Sequence, residues 1–257
     1  MILLPNRSVI GLSGADAGKF LQGLITNDIE LLATQSAIYA AMLTPAGKLM
    51  FDFIISKQNT HPSLREGNQL TPLPEGGVGE GFLLDTFAPR ADALFKRLSM
   101  YKLRSDVEIE ITDLQVYASD AEGVPDPRSA GLGKRFYGNL GALGNFADYE
   151  QKRIELGIPN SEDFLFEEDF PLQCNFESLH GISFSKGCYV GQEVTARTKY
   201  KGNIKYAFYK ISLTSPSLRE GVGEGSALQT GADVMQDGKK IGRVASSIGN
   251  LALAHLE

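Results

Sequence analysis

Two apolar runs near the start of the chain constrain its fold most strongly. Residues 37–43 and 49–55 are apolar and partly alternating, and the segment Thr-Pro-Ala-Gly-Lys separates them. Pro45 and Gly47 are turn residues, because proline presets one backbone angle and glycine tolerates a positive φ. We therefore predict a β-hairpin, whose second strand pairs next with residues 81–86.

Strand patterns and helix patterns are mixed along the rest of the chain. Further strands are predicted at residues 8–12, 107–112 and 114–118, and helices at residues 13–24, 90–100 and 149–156. Residues 122–144, which are rich in glycine, are interpreted as a long connection. This mixture predicts an α+β fold.

The pattern changes after Gly202 to short strands alone. They are predicted at residues 204–213, 232–236, 240–246 and 250–255. The dipeptide Asp237-Gly238 is a strong hairpin signal between two of them. We expect a small all-β domain, a barrel, at this end of the chain.

Composition narrows the class of protein. A chain of 257 residues can form two or three small domains. Its cysteines, Cys174 and Cys188, and its three histidines give no C-x-x-C or H-x-x-x-H pair, so we expect no metal motif of its own. A pI near 5.2 argues against a general nucleic-acid coat and against DNA as a partner, although a local basic patch could contact RNA.

The start of the chain, Met-Ile-Leu-Leu-Pro-Asn-Arg, is too short for a secretory signal and is interrupted by Pro5. No apolar run approaches the roughly 20 residues that a membrane span requires. We therefore expect a cytoplasmic, reducing location and no membrane partner.

Two segments repeat each other. Pro-Ser-Leu-Arg-Glu-Gly occurs at residues 62–67 and again at 216–221, and Val-Gly-Glu-Gly occurs at 78–81 and at 222–225. A solenoid would need regular spacing and more copies, so an inserted genetic element explains the repeats better. We predict mobile loops at residues 59–80 and 215–226 that have no role in catalysis.

The densest chemistry lies at residues 186–202, which read K-G-C-Y-V-G-Q-E-V-T-A-R-T-K-Y-K-G. Gly187 and Gly191 bracket Cys188 and indicate a tight turn. A helix is predicted to follow from Gln192, because Glu193 stands in its first turn and Gly202 follows its last basic residues.

Cys188 would then lie outside the positive end of a helix dipole with Lys186 two residues away. Both influences favour the thiolate and predict a reactive cysteine. The alternative is a buried, inert cysteine that serves as a small hydrophobic residue.

Five bases and a single acid, Glu193, lie between residues 186 and 205, although the chain has a net charge of -6. The bases are Lys186, Arg197, Lys199, Lys201 and Lys205. They indicate an anionic partner. The alternative is a solvated helix face on which Glu193 and Arg197 pair.

The run K-G-C-Y-V-G-Q-E-V-T-A-R, followed by Y-K-G, closely resembles the signature of the YgfZ family. That family comprises folate-binding relatives of the glycine-cleavage T-protein (aminomethyltransferase) that act in iron-sulfur protein maturation. The residues that carry the resemblance are Gly187, Cys188, Tyr189, Gly191, Gln192, Glu193 and Gly202. The resemblance implies a three-domain T-protein fold, with ferredoxin-like α/β domains, a C-terminal β-barrel and folate in a central funnel.

The implied domains are a folate-binding domain in two pieces, an inserted α+β domain and the C-terminal barrel. Their ranges are 1–43 with 142–200, 44–141, and 201–257.

Six residues are candidates for binding folate. R-I-E-L-G-I-P at 153–159 resembles a T-protein segment and makes Glu155 a candidate for the pterin N–H edge, while Tyr149 could stack on the ring. Residues 169–177 resemble the segment upstream of the cysteine motif and add Gln173 and Asn175. Asn27 could form a pocket rim, and Arg197 could meet the folate tail.

Each candidate also has a structural alternative. These alternatives are a turn for Asn27, core packing for Tyr149, a pair with Lys152 for Glu155, loop capping for Gln173 and Asn175, and a pair with Glu193 for Arg197.

The implied role is tetrahydrofolate-dependent support of iron-sulfur enzymes, including those that modify transfer RNA. From the residues, the hypothesis is a folate pocket beside a reactive thiol, where Lys186 supports the Cys188 thiolate. That thiolate forms a transient mixed disulfide, or joins a transient iron-sulfur cluster whose other ligands come from an assembly or client protein.

Two alternatives remain open. The first is a folate-dependent aminomethyl transferase with a structural Cys188, although the aspartate this reaction needs has no convincing counterpart, since Asp85 and Asp92 are only nearby. The second is an accessory protein that contacts transfer RNA through Lys199, Lys201 and Lys205.

Overall fold

The computed structural model describes residues 1–58, 80–141, 144–202, 204–212, 229–236 and 238–257. The predicted mobile loops, residues 59–80 and 215–226, lie outside these ranges apart from Glu80, which begins a strand.

The described strands are β1 (Ile2–Leu3), β2 (Arg7–Gly14), β3 (Ala37–Leu43), β4 (Leu49–Lys57), β5 (Glu80–Phe87), β6 (Glu108–Ile111), β7 (Gln115–Ser119), β8 (Val124–Pro125), β9 (Lys134–Gly138), β10 (Ala207–Ser212), β11 (Asp233–Gln236), β12 (Lys239–Ile248) and β13 (Leu251–Leu256). The described α-helices are α1 (Ala17–Gln22), α2 (Ala91–Lys102), α3 (Phe146–Glu155) and α4 (Gln192–Lys201). Short 3-10 helices occur at Ile29–Ala33, Ala88–Arg90, Ala130–Leu132 and Ser161–Asp163.

The predicted hairpin is confirmed as β3 and β4, which lie at one side of a five-stranded antiparallel sheet of order β3-β4-β5-β2-β6. Every residue of β3 is buried, because both faces of the hairpin are covered. One face packs against α1 and α2 through residues such as Ile38 and Phe53. The other face, with Tyr39 and Ile54, packs toward the second sheet.

The second sheet has the order β1-β7-β9-β8. Strands β8 and β9 lie within residues 122–144, so the interpretation of that segment as a connection alone is wrong. Strand β9 reads Lys-Arg-Phe-Tyr-Gly and lacks an apolar run. It is buried nonetheless, because Arg135 is neutralised by carboxylates inside the protein.

The C-terminal strands form an antiparallel sheet of order β10-β13-β12-β11. β11 and β12 pair across the predicted Asp-Gly hairpin, of which residue 237 lies outside the described residues. Asn175 fixes this sheet to the rest of the protein, since its side chain donates to the Phe208 carbonyl at 2.9 Å and accepts from the Phe208 amide at 3.0 Å. Closure of this sheet into a barrel remains a prediction.

The division into domains remains a proposal, and the sheets bear on its first boundary. A boundary between residues 43 and 44 would divide the β3–β4 hairpin, whose strands pair from residue 37 to residue 56. The five-stranded sheet extends to β6, and the second sheet begins its long strands at β7. The topology therefore favours a boundary between β6 and β7.

Buried ion pairs connect the two sheets. Asp85 on β5 accepts from Arg7 at 2.6 Å and from Arg135 on β9 at 3.3 Å. Asp126, which follows β8, accepts from Arg135 at 3.0 Å and from Arg128 at 2.9 Å. Burial alone would raise the pKa of Asp126, but the two guanidinium groups outweigh it and hold the pKa well below its usual value.

We predict that Arg135→Met destabilises the protein by about 3–5 kcal/mol, because it leaves the buried Asp85 and Asp126 short of a cation. Arg197→Met is the matched control, since the side chain of Arg197 is 71% exposed and should contribute within about 1 kcal/mol. Urea unfolding of both variants checks this. Equal midpoints for the two variants would contradict the prediction.

Candidate functional site

Two depressions lie beside the segment at residues 180–188. The first, which we call the larger cavity, has a volume of about 790 Å³. Its lining includes Asn27, Asp28, Tyr39, Pro125, Pro127, Glu177, His180, Phe184 and Ser185. The second, the Cys188 groove, has a volume of about 570 Å³ and is lined by Gly18, Lys19, Gln22, Gly23, Ile29, Glu30, Ala33, Lys57, Gly187 and Cys188.

Cys188 is exposed at the Cys188 groove and is a free thiol. It lies in the turn before α4, which begins at Gln192 as predicted. The interpretation of Cys188 as a buried small residue is therefore excluded. Lys19 and Lys57 line the same groove as the thiol.

The residue just before α4, Gly191, occupies a position that requires glycine for steric reasons. It adopts φ +82°, and a Cβ there would lie 2.7 Å from the carbonyl oxygen of Thr44. The motif therefore packs directly on the turn of the β3–β4 hairpin. Gly187, by contrast, has open space where a Cβ would stand.

Lys186 is buried, and its ammonium group donates to three backbone carbonyls. The acceptors are Gln22 at 2.7 Å, Ile25 at 2.8 Å and Asn27 at 2.8 Å. Burial lowers the pKa of Lys186 to about 8, while the negative charge of Asp28 opposes this. Because all three protons are used, none remains for the Cys188 sulfur. The predicted support of the thiolate by Lys186 is thus limited to its charge.

Asn27 lines the larger cavity, as a pocket-rim residue should. Its amide donates to the carbonyl oxygens of Tyr39 at 2.7 Å and His180 at 2.8 Å, and its side-chain oxygen accepts from the Asp28 amide at 2.9 Å. Both amide protons are therefore committed to the cavity wall.

Tyr149 and Glu155 on α3 lie away from the larger cavity. Tyr149 is buried, and its hydroxyl accepts from Arg128 at 3.1 Å and Arg135 at 2.8 Å. Glu155 is exposed and accepts from Gln151 at 2.8 Å. The structure gives both residues local partners and does not bring them to the predicted pterin.

The remaining folate candidates also have local partners. Gln173 accepts from the Phe170 amide at 3.4 Å, and Asn175 binds Phe208 as described above. Arg197 pairs with Glu193 at 2.9 Å, which is the structural alternative that their spacing allowed.

Sequence reasoning missed Tyr39 and Asp52. The Tyr39 hydroxyl donates to Asp52 at 3.0 Å, and both residues are buried. Burial raises the pKa of Tyr39, and the charge of Asp52 adds to this. Asp52 Oδ1 has no hydrogen-bond partner among the described residues. The available signal was an acid inside the otherwise apolar run Leu-Met-Phe-Asp-Phe-Ile-Ile.

Comparison of the fold defines its class. The structure matches the glycine cleavage system aminomethyltransferase T of Bartonella henselae with a TM-score of 0.70 and 14% sequence identity, over 99% of this chain and 77% of that one. The predicted α+β T-protein fold is confirmed. At this identity the likeness concerns the fold alone.

Sequence comparison supplies the family. No family model matches the chain. It is 31% identical to the mitochondrial iron-sulfur cluster assembly factor IBA57 of Mus musculus, over 98% of this chain and 76% of the mouse protein. The IBA57 protein of Homo sapiens is 29% identical over the same shares. A homolog from Neurospora crassa is 32% identical, and the chain spans about half of that protein, 51%.

The chain therefore belongs to the family of the iron-sulfur cluster assembly factor IBA57. The resemblance to the YgfZ family fits this result in general, and IBA57 is the more specific family name. The expectation of a cytoplasmic location is wrong, because these relatives are named as mitochondrial proteins. None of the helices in the described part of the chain is long and apolar enough to cross a membrane.

We predict that Gly191→Ala destabilises the protein by about 1–3 kcal/mol, because the left-handed backbone is strained for alanine and the Cβ meets backbone atoms. Gly187→Ala, in the same turn, should be nearly neutral. Thermal unfolding of the two variants checks this, and a Gly191→Ala protein as stable as Gly187→Ala would contradict it.

Proposed function

We propose that this chain supports iron-sulfur cluster assembly by lending the Cys188 thiolate to a cluster that it shares with a partner protein. The observation that carries the proposal is the exposed thiol in the Cys188 groove of a chain whose relatives are named iron-sulfur cluster assembly factors. Thiolates are the usual protein ligands of iron-sulfur clusters.

The donor set favours a shared cluster over one held by this chain alone. Within the described residues, no group of three or more His, Cys, Asp or Glu side chains could hold a metal ion. Cys174 is fully buried, and burial raises the pKa of its thiol well above the usual value, with Asp169 adding to the shift. Cys188 is thus the thiolate that this chain offers, and we assign the other ligands to an assembly or client protein.

Lys19 and Lys57 support the same role. Both line the Cys188 groove, together with a single carboxylate, Glu30. A cluster held by thiolates carries negative charge, so nearby ammonium groups favour its binding.

We also propose that the larger cavity binds tetrahydrofolate or a derivative. Its volume of about 790 Å³ lies within the range of small-molecule sites. Its lining fits a flat, nitrogen-rich ring in part, since Asp28 offers a carboxylate to N–H donors while Phe184 offers aromatic surface. Of the six predicted folate residues, Asn27 lines this cavity and the other five do not.

The charged tail of a folate would have to lie at the mouth. The lining residues that the structure describes include Asp28 and Glu177 and neither lysine nor arginine. Lys199, which bonds to Glu177 and lies 5.6 Å from the Phe184 ring centroid, is the cation at that edge. Asp28 and Phe184 would hold the pterin ring of a folate, and Lys199 would hold its carboxylates.

Neither alternative function, aminomethyl transfer or contact with transfer RNA, gains specific support from the structure. Asp85, a candidate for the aspartate of aminomethyl transfer, is fully buried and bound to two arginines, and Asp92 lies on α2. Of the three lysines suggested to contact transfer RNA, Lys199 is paired with Glu177. Support of enzymes that modify transfer RNA remains part of the proposal only as a consequence of cluster assembly.

We predict that Cys188→Ser leaves the fold intact, because the side chain is exposed, but fails to restore iron-sulfur enzyme activity in a strain that lacks the native protein. Ser99→Ala, at an exposed position on α2 that lines neither depression, is the control and should restore activity. Enzyme activity and thermal unfolding are measured together. Full restoration by Cys188→Ser would remove the thiol from the proposal.

We predict that tetrahydrofolate binds the reduced protein and still binds its Cys188→Ala variant, because Cys188 does not line the larger cavity. Ser36→Trp should weaken binding by about tenfold or more, since exposed Ser36 lines the cavity and a bulky ring would occupy the ligand's volume. Calorimetric titration measures the three dissociation constants. Absence of binding to the wild-type protein, or unchanged binding to Ser36→Trp, would exclude folate from this cavity.

A further inference from the structure

Lys186 donates hydrogen bonds to residues that line the two depressions. Gln22, whose carbonyl accepts from the ammonium group at 2.7 Å, lines the Cys188 groove. Asn27, whose carbonyl accepts at 2.8 Å, lines the larger cavity. Ile25, the third acceptor, lies between them in sequence and is fully buried. A single ammonium group thus contacts a stretch of backbone that runs from one depression to the other.

The backbone around Lys186 runs between the same two depressions. Ser185, just before it, lines the larger cavity, and Gly187 and Cys188, just after it, line the groove. Two segments, residues 22–28 and residues 180–188, therefore each reach from cavity to groove, and Lys186 links one to the other.

Other hydrogen bonds between the two segments lie at the cavity end. The Ser183 amide donates to the Thr26 carbonyl at 3.0 Å, and the Thr26 hydroxyl donates to the Gly181 carbonyl at 2.7 Å. The Asn27 side chain reaches the His180 carbonyl at 2.8 Å. The bond from Lys186 to Gln22 is the one that carries the connection to the groove.

Loss of the hydrogen bonds that Lys186 donates would destabilise the folded protein. A buried ammonium group requires hydrogen-bond acceptors, and hydrogen bonds from a charged donor are stronger than neutral ones. Besides the three carbonyls, Lys186 has the Tyr189 ring at 5.1 Å and the negative charge of Asp28 nearby. Without the ammonium group, the carbonyls of Gln22, Ile25 and Asn27 would lose these bonds together.

We propose that Lys186 is a positioning residue that holds the Cys188 turn and the wall of the larger cavity in one fixed arrangement. A change at one depression then alters the other, and the effect is reciprocal. This inference rests on the proposed function of Cys188 for its biological meaning, but its geometry is independent of folate.

The competing explanation is that the Lys186 side chain only fills space. Methionine matches the apolar length of lysine. Under that explanation, Lys186→Met should preserve the backbone protection of the two segments better than any other replacement. If the hydrogen bonds hold the two segments together, Lys186→Gln should protect their backbone amides from exchange better than Lys186→Met does, because an amide keeps two N–H donors.

Hydrogen exchange of backbone amides, read by mass spectrometry, separates the two explanations. In Lys186→Met we expect exchange to rise by about tenfold or more in residues 22–28 and in residues 183–188 together. Lys186→Gln should show a smaller rise in both segments. Lys96→Met, which removes an exposed lysine from α2, is the matched control and should leave both segments unchanged.

A rise confined to residues 183–188, or a Lys186→Gln protein no better protected than Lys186→Met, would overturn the proposal. If Lys186→Met does not fold, the comparison is made between the wild-type protein and Lys186→Gln. In that case the proposal requires both segments to exchange faster, and it fails if residues 22–28 keep wild-type protection.

A second measurement tests the coupling itself. Carboxymethylation of Cys188 by iodoacetate adds a bulky anion in the groove, and in the wild-type protein it should change exchange at residues 22–28. The same modification of Lys186→Gln should change exchange there by a smaller factor. An equal response in both proteins would overturn the role of Lys186, whereas failure of Cys188→Ser to abolish function would overturn only the proposed function.

Discussion

Buried charge, neutralised by groups distant in sequence, is the constraint on which the structure depends. Arg7, Asp85, Asp126, Arg128 and Arg135 are all buried between the two sheets, and each must find partners because an unpaired charge in the interior is very costly. The pairs they form connect the five-stranded sheet to the segment that follows β8.

The same ion pairs hold part of the wall of the larger cavity. The segment held by Asp126 also contributes Pro125 and Pro127 to the larger cavity, and the Arg128 guanidinium lies 5.7 Å from the Tyr39 ring centroid. On the other side, Lys186 binds the Asn27 carbonyl and so holds a further part of the wall. Two sets of buried cations thus support a cavity whose described lining residues include no lysine or arginine.

Much of the fold could be predicted from local pattern, and the site could be predicted only in part. Periodicity and turn residues located the β3–β4 hairpin and the α4 helix, because these signals lie within a few residues. Strand β9 could not be predicted, because the charged Arg135 is typical of an exposed segment. No local signal indicates that Asp85 and Asp126 neutralise this arginine. Likewise, the sequence placed Lys186 beside Cys188 but could not show that its ammonium group turns toward Gln22.

The folate candidates illustrate the same limit. Tyr149 is a suitable stacking residue by type, yet Arg128 and Arg135 hold its hydroxyl inside the core. Asn175 is a suitable pterin ligand by type, yet it serves the backbone of Phe208. Residue type predicts what a side chain can bind, whereas distant contacts decide what it does bind.

The central claim is that the sulfur of Cys188 bonds to iron in a cluster shared with a partner. Cys188→selenocysteine provides the most direct test, through X-ray absorption at the selenium edge of the protein in complex with a cluster-loaded assembly protein. The account predicts an iron neighbour bonded to selenium. A spectrum with carbon as the only bonded neighbour, while the cluster stays in the complex, would contradict it.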